Sequence, residues 1–326
     1  MKVVAVGGYI FFKKETYARL TKVSDFMHIK EEPSEKVLGD AAKQADIVVT
    51  YGKITPSFIK KYRHLKAIIV LSTGKEDLES AEMLNAASDS DTLLMYTPKY
   101  STQSVAEYTL AALFSLQSKI LLATRASFLD QSFGVLDSQR VCLTNSTVGI
   151  VGLGHIGAYV ANILSKLDIN TLAYTKHPDG KKLDDYRGFL TFSPTLEHLS
   201  SNSNFVVVTC SLNPETVAFL NKTSFFDHLK ADVGLINTAR GRIFNPDDLY
   251  KFISEKKKSC LFVDVLDFDL ETNNKLRQLP NVFVTPHIAF NTEEAVRRIV
   301  DTTIDNIIAF KNGNMQNLVK EQPKNI

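Results

Sequence analysis

Short apolar, β-branched runs punctuate the first hundred residues. Residues 3–6 (VVAV), 45–51 (ADIVVTY), 67–72 (AIIVLS) and 92–96 (TLLMY) each read as a strand. Helical patterns over 55–65 and 78–87 separate the later runs, the first with Pro56 in its opening turn. Strands that are apolar throughout and alternate with helices predict a parallel sheet covered on both faces. A helix over 104–119 follows, apolar on nearly every side around 108–116, a pattern that predicts burial between domains or subunits. After a polar stretch at 131–146 a second alternation begins. Residues 147–151, 171–175, 205–210, 234–237, 261–265 and 282–285 read as six strands, the number in a full dinucleotide-binding sheet. A last helix over 292–312 is expected to return to the first domain. The predicted organisation is therefore one domain at 101–289 inserted in a discontinuous one, 1–100 with 290–326.

The first chemical signal lies where the second alternation starts. Gly152, Gly154 and Gly157 form GxGxxG directly after the apolar run TVGIV and before a helical pattern at 158–167. The first glycine permits the tight turn, the second lets backbone approach a pyrophosphate, and the third allows close helix–strand packing. The helix N-terminus then offers N–H groups to the anion. A site for NAD usually has Asp or Glu at the end of the next strand to take the ribose 2′-hydroxyl. Here that position, eighteen residues after Gly157, is Thr175, followed by Lys176 and His177. A hydroxyl and a cation suit a 2′-phosphate, so NADP(H) is expected to be preferred over NAD(H).

Three later strand ends carry polar groups: Asn-Thr-Ala-Arg240-Gly241, Asp264-Val-Leu-Asp-Phe-Asp269 and Thr285-Pro-His287-Ile-Ala. In a doubly wound sheet the carboxyl ends of strands face the ligand crevice. An arginine, acids and a histidine are thus expected to converge where a nicotinamide would lie.

These motifs, with GLGHIG and the earlier Tyr100-Ser-Thr-Gln-Ser-Val-Ala-Glu107, resemble the D-2-hydroxyacid dehydrogenase family in order and spacing over nearly the whole chain. The resemblance implies an α/β fold in which a Rossmann-type doubly wound parallel sheet is inserted in a flavodoxin-like, discontinuous substrate domain. It implies that Arg240 binds the substrate carboxylate and carbonyl oxygen, that His287 is the general acid/base, and that Asp269 stands where the family usually has a glutamate paired with that histidine. Asp264 resembles the carboxylate that holds the nicotinamide amide. Thr73 and Gly74 resemble the loop whose N–H groups hold the substrate carboxylate, and Tyr100 lies in the substrate-proximal loop. His155, Ile156, Cys210, Ser211, Thr216 and Thr238 match cofactor-lining positions. The chemistry suits these types. Hydride addition to a 2-oxo carbon leaves an alkoxide that must take a proton, which a histidine gives near neutral pH. Arginine offers a permanently charged, two-pronged fork to a carboxylate. Asp267, two residues before Asp269, is a competing acid.

Composition narrows the field further. With 38 Lys+Arg against 36 Asp+Glu in 326 residues, the net charge of +2 does not suit a nucleic-acid binder. Three dispersed cysteines give no disulfide framework and no metal site. No run is long enough to span a membrane, and Lys13 and Lys14 end the apolar opening where a signal peptide would have small residues. A cytoplasmic homodimer acting on small 2-oxo or 2-hydroxy acids is expected, with a glyoxylate/hydroxypyruvate-type reductase favoured. A short-form phosphoglycerate dehydrogenase and a nicotinamide-sensing corepressor are the alternatives. The short stretch after His287 and the lack of long polar flanks in the sequence read are expected to disfavour both alternatives. His28, His64, His198 and His228 are read as packing or surface residues.

Overall fold

The computed structural model describes residues 1–8, 10–130, 141–176, 186 and 188–320, with backbone only at 128–130. His177 and residues 131–140 of the polar stretch lie outside the described residues. The chain divides into two compact units, Met1–Ser101 with Asn291–Ile326, and Thr102–Phe290.

In the first unit, β1 (Lys2–Val6), β2 (Asp25–Ile29), β3 (Ile47–Thr50), β4 (Ala67–Val70) and β5 (Leu93–Tyr96) form one parallel sheet in the order β2-β1-β3-β4-β5. That is the flavodoxin-like order. Helices α1 (Lys14–Val23), α2 (Glu35–Ala42), α3 (Pro56–Lys61) and α4 (Ala81–Asp89) connect the strands. The sequence pattern missed β2 for a physical reason. It is an edge strand, largely half-buried, and its run Asp-Phe-Met-His-Ile lacks the solid apolar character of a central strand.

The second unit opens with α5 (Thr102–Gln117) and α6 (Ile120–Asp130). Its sheet comprises β6 (Thr147–Val151), β7 (Asn170–Tyr174), β8 (Thr191–Phe192), β9 (Phe205–Val208), β10 (Gly234–Asn237), β11 (Cys260–Val263) and β12 (Val282–Val284). The order is β12-β11-β10-β9-β6-β7-β8, all parallel. The six expected strands are all present. The seventh, β8, is a two-residue edge too short to leave a pattern. Between the strands lie α7 (His155–Lys166), α8 (Leu196–Asn202), α9 (Pro246–Glu255) and α10 (Leu270–Arg277). The long α11 (Glu293–Lys311) belongs to the first unit, where Arg19 of α1 pairs with its Asp301 at 2.6 Å.

Both faces of the second sheet are buried, and the period of two decides which side chain goes where. Val206, Val208, Leu235, Leu261 and Val263 join one core, while Val207, Ile236 and Phe262 join the other. Helix α5 supplies Ala106, Leu110, Leu113 and Leu116 to the latter, where α7 also packs. This packing against sheet and helix together accounts for the near-continuous apolar surface of α5. The chain runs outward through β6, β7 and β8, then returns to lay β9 against the other side of β6. The carboxyl ends of β6 and β9 therefore diverge, and a ligand crevice opens at such a reversal.

Candidate functional site

The β6–α7 turn sits at that reversal. Gly152 has φ +96°, and a Cβ there would lie 2.5 Å from the Cys210 backbone at the end of β9. Only glycine satisfies both conditions. The Thr209 hydroxyl donates to the Gly152 carbonyl at 2.7 Å, and a Cβ on Gly157 would press on that same oxygen at 2.4 Å. Gly154 is different: a Cβ there would meet nothing within 4 Å. The space beside it is open.

Several other helix starts among the described residues are closed by side chains. Ser34, Thr55, Ser80, Thr195, Asn245 and Thr292 each accept an N–H from the first turn. Helix α7 begins at Gly154 with no side-chain cap. Its first turn, His155-Ile156-Gly157, thus presents backbone toward the crevice, and the helix dipole favours an anion there. A cavity of about 300 Å³ runs from this turn to the end of β7, reached by Thr175, Lys176, Cys210, Ser211 and Thr216. These residues fit a pyrophosphate-bearing dinucleotide. Burial pushes the Cys210 thiol up to about 12 and the Cys260 thiol to about 11. Both remain neutral at physiological pH and unsuited to nucleophilic chemistry.

The loop after β9 closes over the far end of this cavity. The Thr216 hydroxyl accepts from the Asn213 N–H at 2.8 Å and donates to the Ser211 carbonyl at 2.7 Å. Glu215 is carried on this loop, and its carboxylate pairs with Lys176 Nζ at 3.1 Å. Sequence reasoning found no acid for the strand end because this one comes from another loop, forty residues on.

Arg240, Asp264 and His287 follow β10, β11 and β12, which are neighbours in the sheet. Arg240 is half-buried, and its turn is braced by Asn237, a buried polar residue ending an apolar strand. Its Oδ1 accepts from the Ala239 N–H at 2.9 Å and its Nδ2 donates to the Arg240 carbonyl at 2.8 Å. Thr238 is fixed from behind by a buried hydroxyl pair with Thr109 of α5, at 2.7 Å. Asp267 bolts the following turn by accepting from Arg242 N at 3.0 Å and Nε at 3.2 Å.

Asp264 is 1% exposed. One carboxylate oxygen accepts from the Thr285 hydroxyl at 2.6 Å and the Ile288 N–H at 3.0 Å, and the other from the Ala289 N–H at 2.9 Å. Its carbonyl accepts from the His287 N–H at 2.9 Å. His287 lies in the middle of this clamp with φ +55°, a left-handed conformation, its ring exposed and edge-on to Phe290 at 5.9 Å. A non-glycine residue held there costs about 1–3 kcal/mol and persists only where the surroundings over-determine it.

Asp269 takes a position that spacing alone did not foresee. It is the N-cap of α10, with one oxygen accepting from Thr272 N–H at 2.9 Å and the other from its hydroxyl at 2.7 Å. These bonds hold its carboxyl below the usual aspartate range. Thr73, Gly74 and Tyr100 belong to the other unit, after β4 and β5. There the Thr73 hydroxyl donates to the Thr97 carbonyl at 3.3 Å, and Tyr100 is buried. The four bland histidines all hold neighbours: His28 on Gly7 O, His64 on Ala42 O, His228 on Thr223 O, and His198 on the Ser193 hydroxyl. No metal-ligating cluster occurs among the described residues, and no described helix is long and apolar enough to cross a membrane.

Residues 110–289 match the family model described as D-isomer specific 2-hydroxyacid dehydrogenase, NAD binding domain. The human glyoxylate reductase/hydroxypyruvate reductase is 34% identical over 173 residues, 52% of either chain, so the similarity spans about half of that relative. Among solved structures, the D-lactate dehydrogenase of Aquifex aeolicus complexed with NAD and lactic acid superposes with a TM-score of 0.83 at 24% identity. It covers 98% of this chain and 99% of that one. An acyclic imino acid reductase in complex with NADPH and D-Arg gives 0.82 at 23% identity, over 98% of this chain and all of that one. At those identities the likeness to the solved structures is one of fold.

The Asp264 clamp makes a prediction. Asp264→Asn turns an amide N–H₂ toward a donor and leaves a buried group unsatisfied, which should cost about 1–3 kcal/mol. A lowered urea midpoint is the expected result; wild-type stability would contradict the clamp.

Proposed function

The chain belongs to the D-isomer specific 2-hydroxyacid dehydrogenase family, and on that premise we propose that it reduces small 2-oxo acids of the glyoxylate/hydroxypyruvate kind to D-2-hydroxy acids, with NADPH preferred over NADH. The observation that carries this reading is His287, held left-handed by the Asp264 carboxylate, on the strand end next but one to Arg240. A backbone strained in this way, with an exposed imidazole at its centre, supports a functional role for this position. The similarity to the human reductase supports the substrate class.

The reduced nicotinamide, when bound, supplies the hydride. Arg240 takes the substrate carboxylate and stabilises charge growing on the carbonyl oxygen. His287 gives that oxygen its proton. Asp269 is the acid that favours the imidazolium; its Thr272 bonds keep it ionised across the neutral range. Thr73 and Gly74 offer N–H groups to the substrate, and Tyr100 limits its size. Gly152, Gly154, His155, Ile156 and Gly157 hold the pyrophosphate, and Lys176 beside Thr175 takes the 2′-phosphate. Cys210, Ser211, Thr216 and Thr238 line the cofactor, and Asp264 fixes the nicotinamide end. A homodimer fits the exposed Phe114, Ile120 and Val141, the last tied to α5 of its own chain by the 2.6 Å bond from Gln117 to its carbonyl.

Loss of reduced-nicotinamide absorbance should follow addition of glyoxylate or hydroxypyruvate, faster with NADPH than NADH, and His287→Ala should lower kcat by about 10²–10⁴-fold. No turnover with any small 2-oxo acid would contradict the reading. Asp269→Asn removes a charge that favours the imidazolium, so the alkaline limb of the reduction profile should move toward acid; an unmoved limb would remove Asp269 from the chemistry. Light scattering should give twice the chain mass, and a monomer would exclude the dimer.

A further inference from the structure

Lys176 is the one cation among the described residues at the rim of the cofactor cavity, and it is already engaged. Its Nζ lies 3.1 Å from the Glu215 carboxylate and 3.4 Å from the Glu215 carbonyl, and 5.9 Å above the Phe219 ring. Phe219 in turn stacks on Tyr174, the last residue of β7, at 6.2 Å and 17°. The strand that leads into Thr175 and Lys176 is thus sealed to the loop that carries Glu215. Resting on the reading that Lys176 receives a 2′-phosphate, we propose that Glu215 sets how far NADPH is favoured over NADH, by competing with that phosphate for Lys176.

The geometry fits competition. The Glu215 backbone is pinned: its N–H donates to Asn213 Oδ1 at 2.9 Å, and the Thr216 hydroxyl ties the loop to Ser211. Its carboxylate reaches Lys176 at the surface. The pair is open to water, with Lys176 40% and Glu215 55% exposed, and such pairs are individually weak. A 2′-phosphate, with close to two charges and three acceptor oxygens, outbids one carboxylate for a lysine. When it does, the carboxylate must swing away while the carbonyl stays beside Nζ. The free chain therefore holds its cation neutralised, and every molecule of NADPH bound has to break the pair. NADH, whose ribose carries only hydroxyls, has no such exchange to make. An acid at the end of the strand would reject the phosphate outright; one supplied from the facing loop, through a lysine, only tempers the preference.

Isothermal titration calorimetry of the full chain with NADPH and with NADH, in the absence of substrate, tests this directly. Glu215→Gln should tighten NADPH roughly 3–10-fold and leave NADH within about twofold. Lys176→Met should weaken NADPH and leave NADH unchanged. Because the pair is exposed, both variants should keep the thermal midpoint of the wild type. Unchanged or weaker NADPH binding by Glu215→Gln, while the wild type binds both cofactors, overturns the competition and leaves the dehydrogenase reading standing. Weaker NADH binding by that variant would make Glu215 a ribose ligand and likewise overturn it. A wild-type chain that binds neither cofactor overturns both.

Discussion

One buried carboxylate organises the chemical end of the second unit. Asp264 receives three hydrogen bonds from the segment after β12, and its carbonyl receives a fourth, from His287 itself. A polar group this far from water is tolerable only when its hydrogen-bonding atoms are partnered. These bonds fix Thr285, His287, Ile288 and Ala289, and the left-handed turn at His287 follows. The neighbouring strand end is built the same way, with the Asn237 amide in place of the carboxylate and Arg240 as the residue presented. Two buried polar side chains on adjacent strands thus aim the two groups proposed to handle the substrate. They carry no reacting atom themselves.

The cofactor end rests on the opposite device, which is space. At Gly152 and Gly157 the absence of a side chain lets backbone meet backbone, with the hydroxyl of Thr209 sealing the turn. At Gly154 it leaves an opening, and α7 is left without a side-chain cap of the kind that closes α2, α3 and α4. Anion affinity there is a property of a helix end kept bare. The segment after β7 then adds a positive charge, Lys176, and the loop after β9 brings Glu215 against it.

Much of this was legible in the residues. Solid apolar runs marked the central strands, and GxGxxG after one of them marked the crevice, because periodicity and glycine report local constraints. Edge strands such as β2 and β8 escaped, since an edge needs less burial and leaves a weaker pattern. Long-range polar partners escaped too. Thr109 is one hydroxyl in an apolar helix until Thr238 is brought to it, and Glu215 is one loop acid until Lys176 is. Asp269 illustrates ambiguity of a different sort. An acid three residues before a threonine serves as a helix cap, and the same spacing suits an acid beside a histidine. The cap is what its two oxygens make in the structure.

The central claim is that these strand ends hold a 2-oxo acid so that a reduced nicotinamide would meet one face of its carbonyl carbon while His287 protonates the oxygen. Its most direct test is the handedness of the product when hydroxypyruvate is reduced with NADPH, resolved by chiral chromatography. The account predicts D-glycerate alone, in one-to-one amount with the NADPH consumed. L-glycerate, a racemate, or NADPH oxidation without glycerate would contradict it.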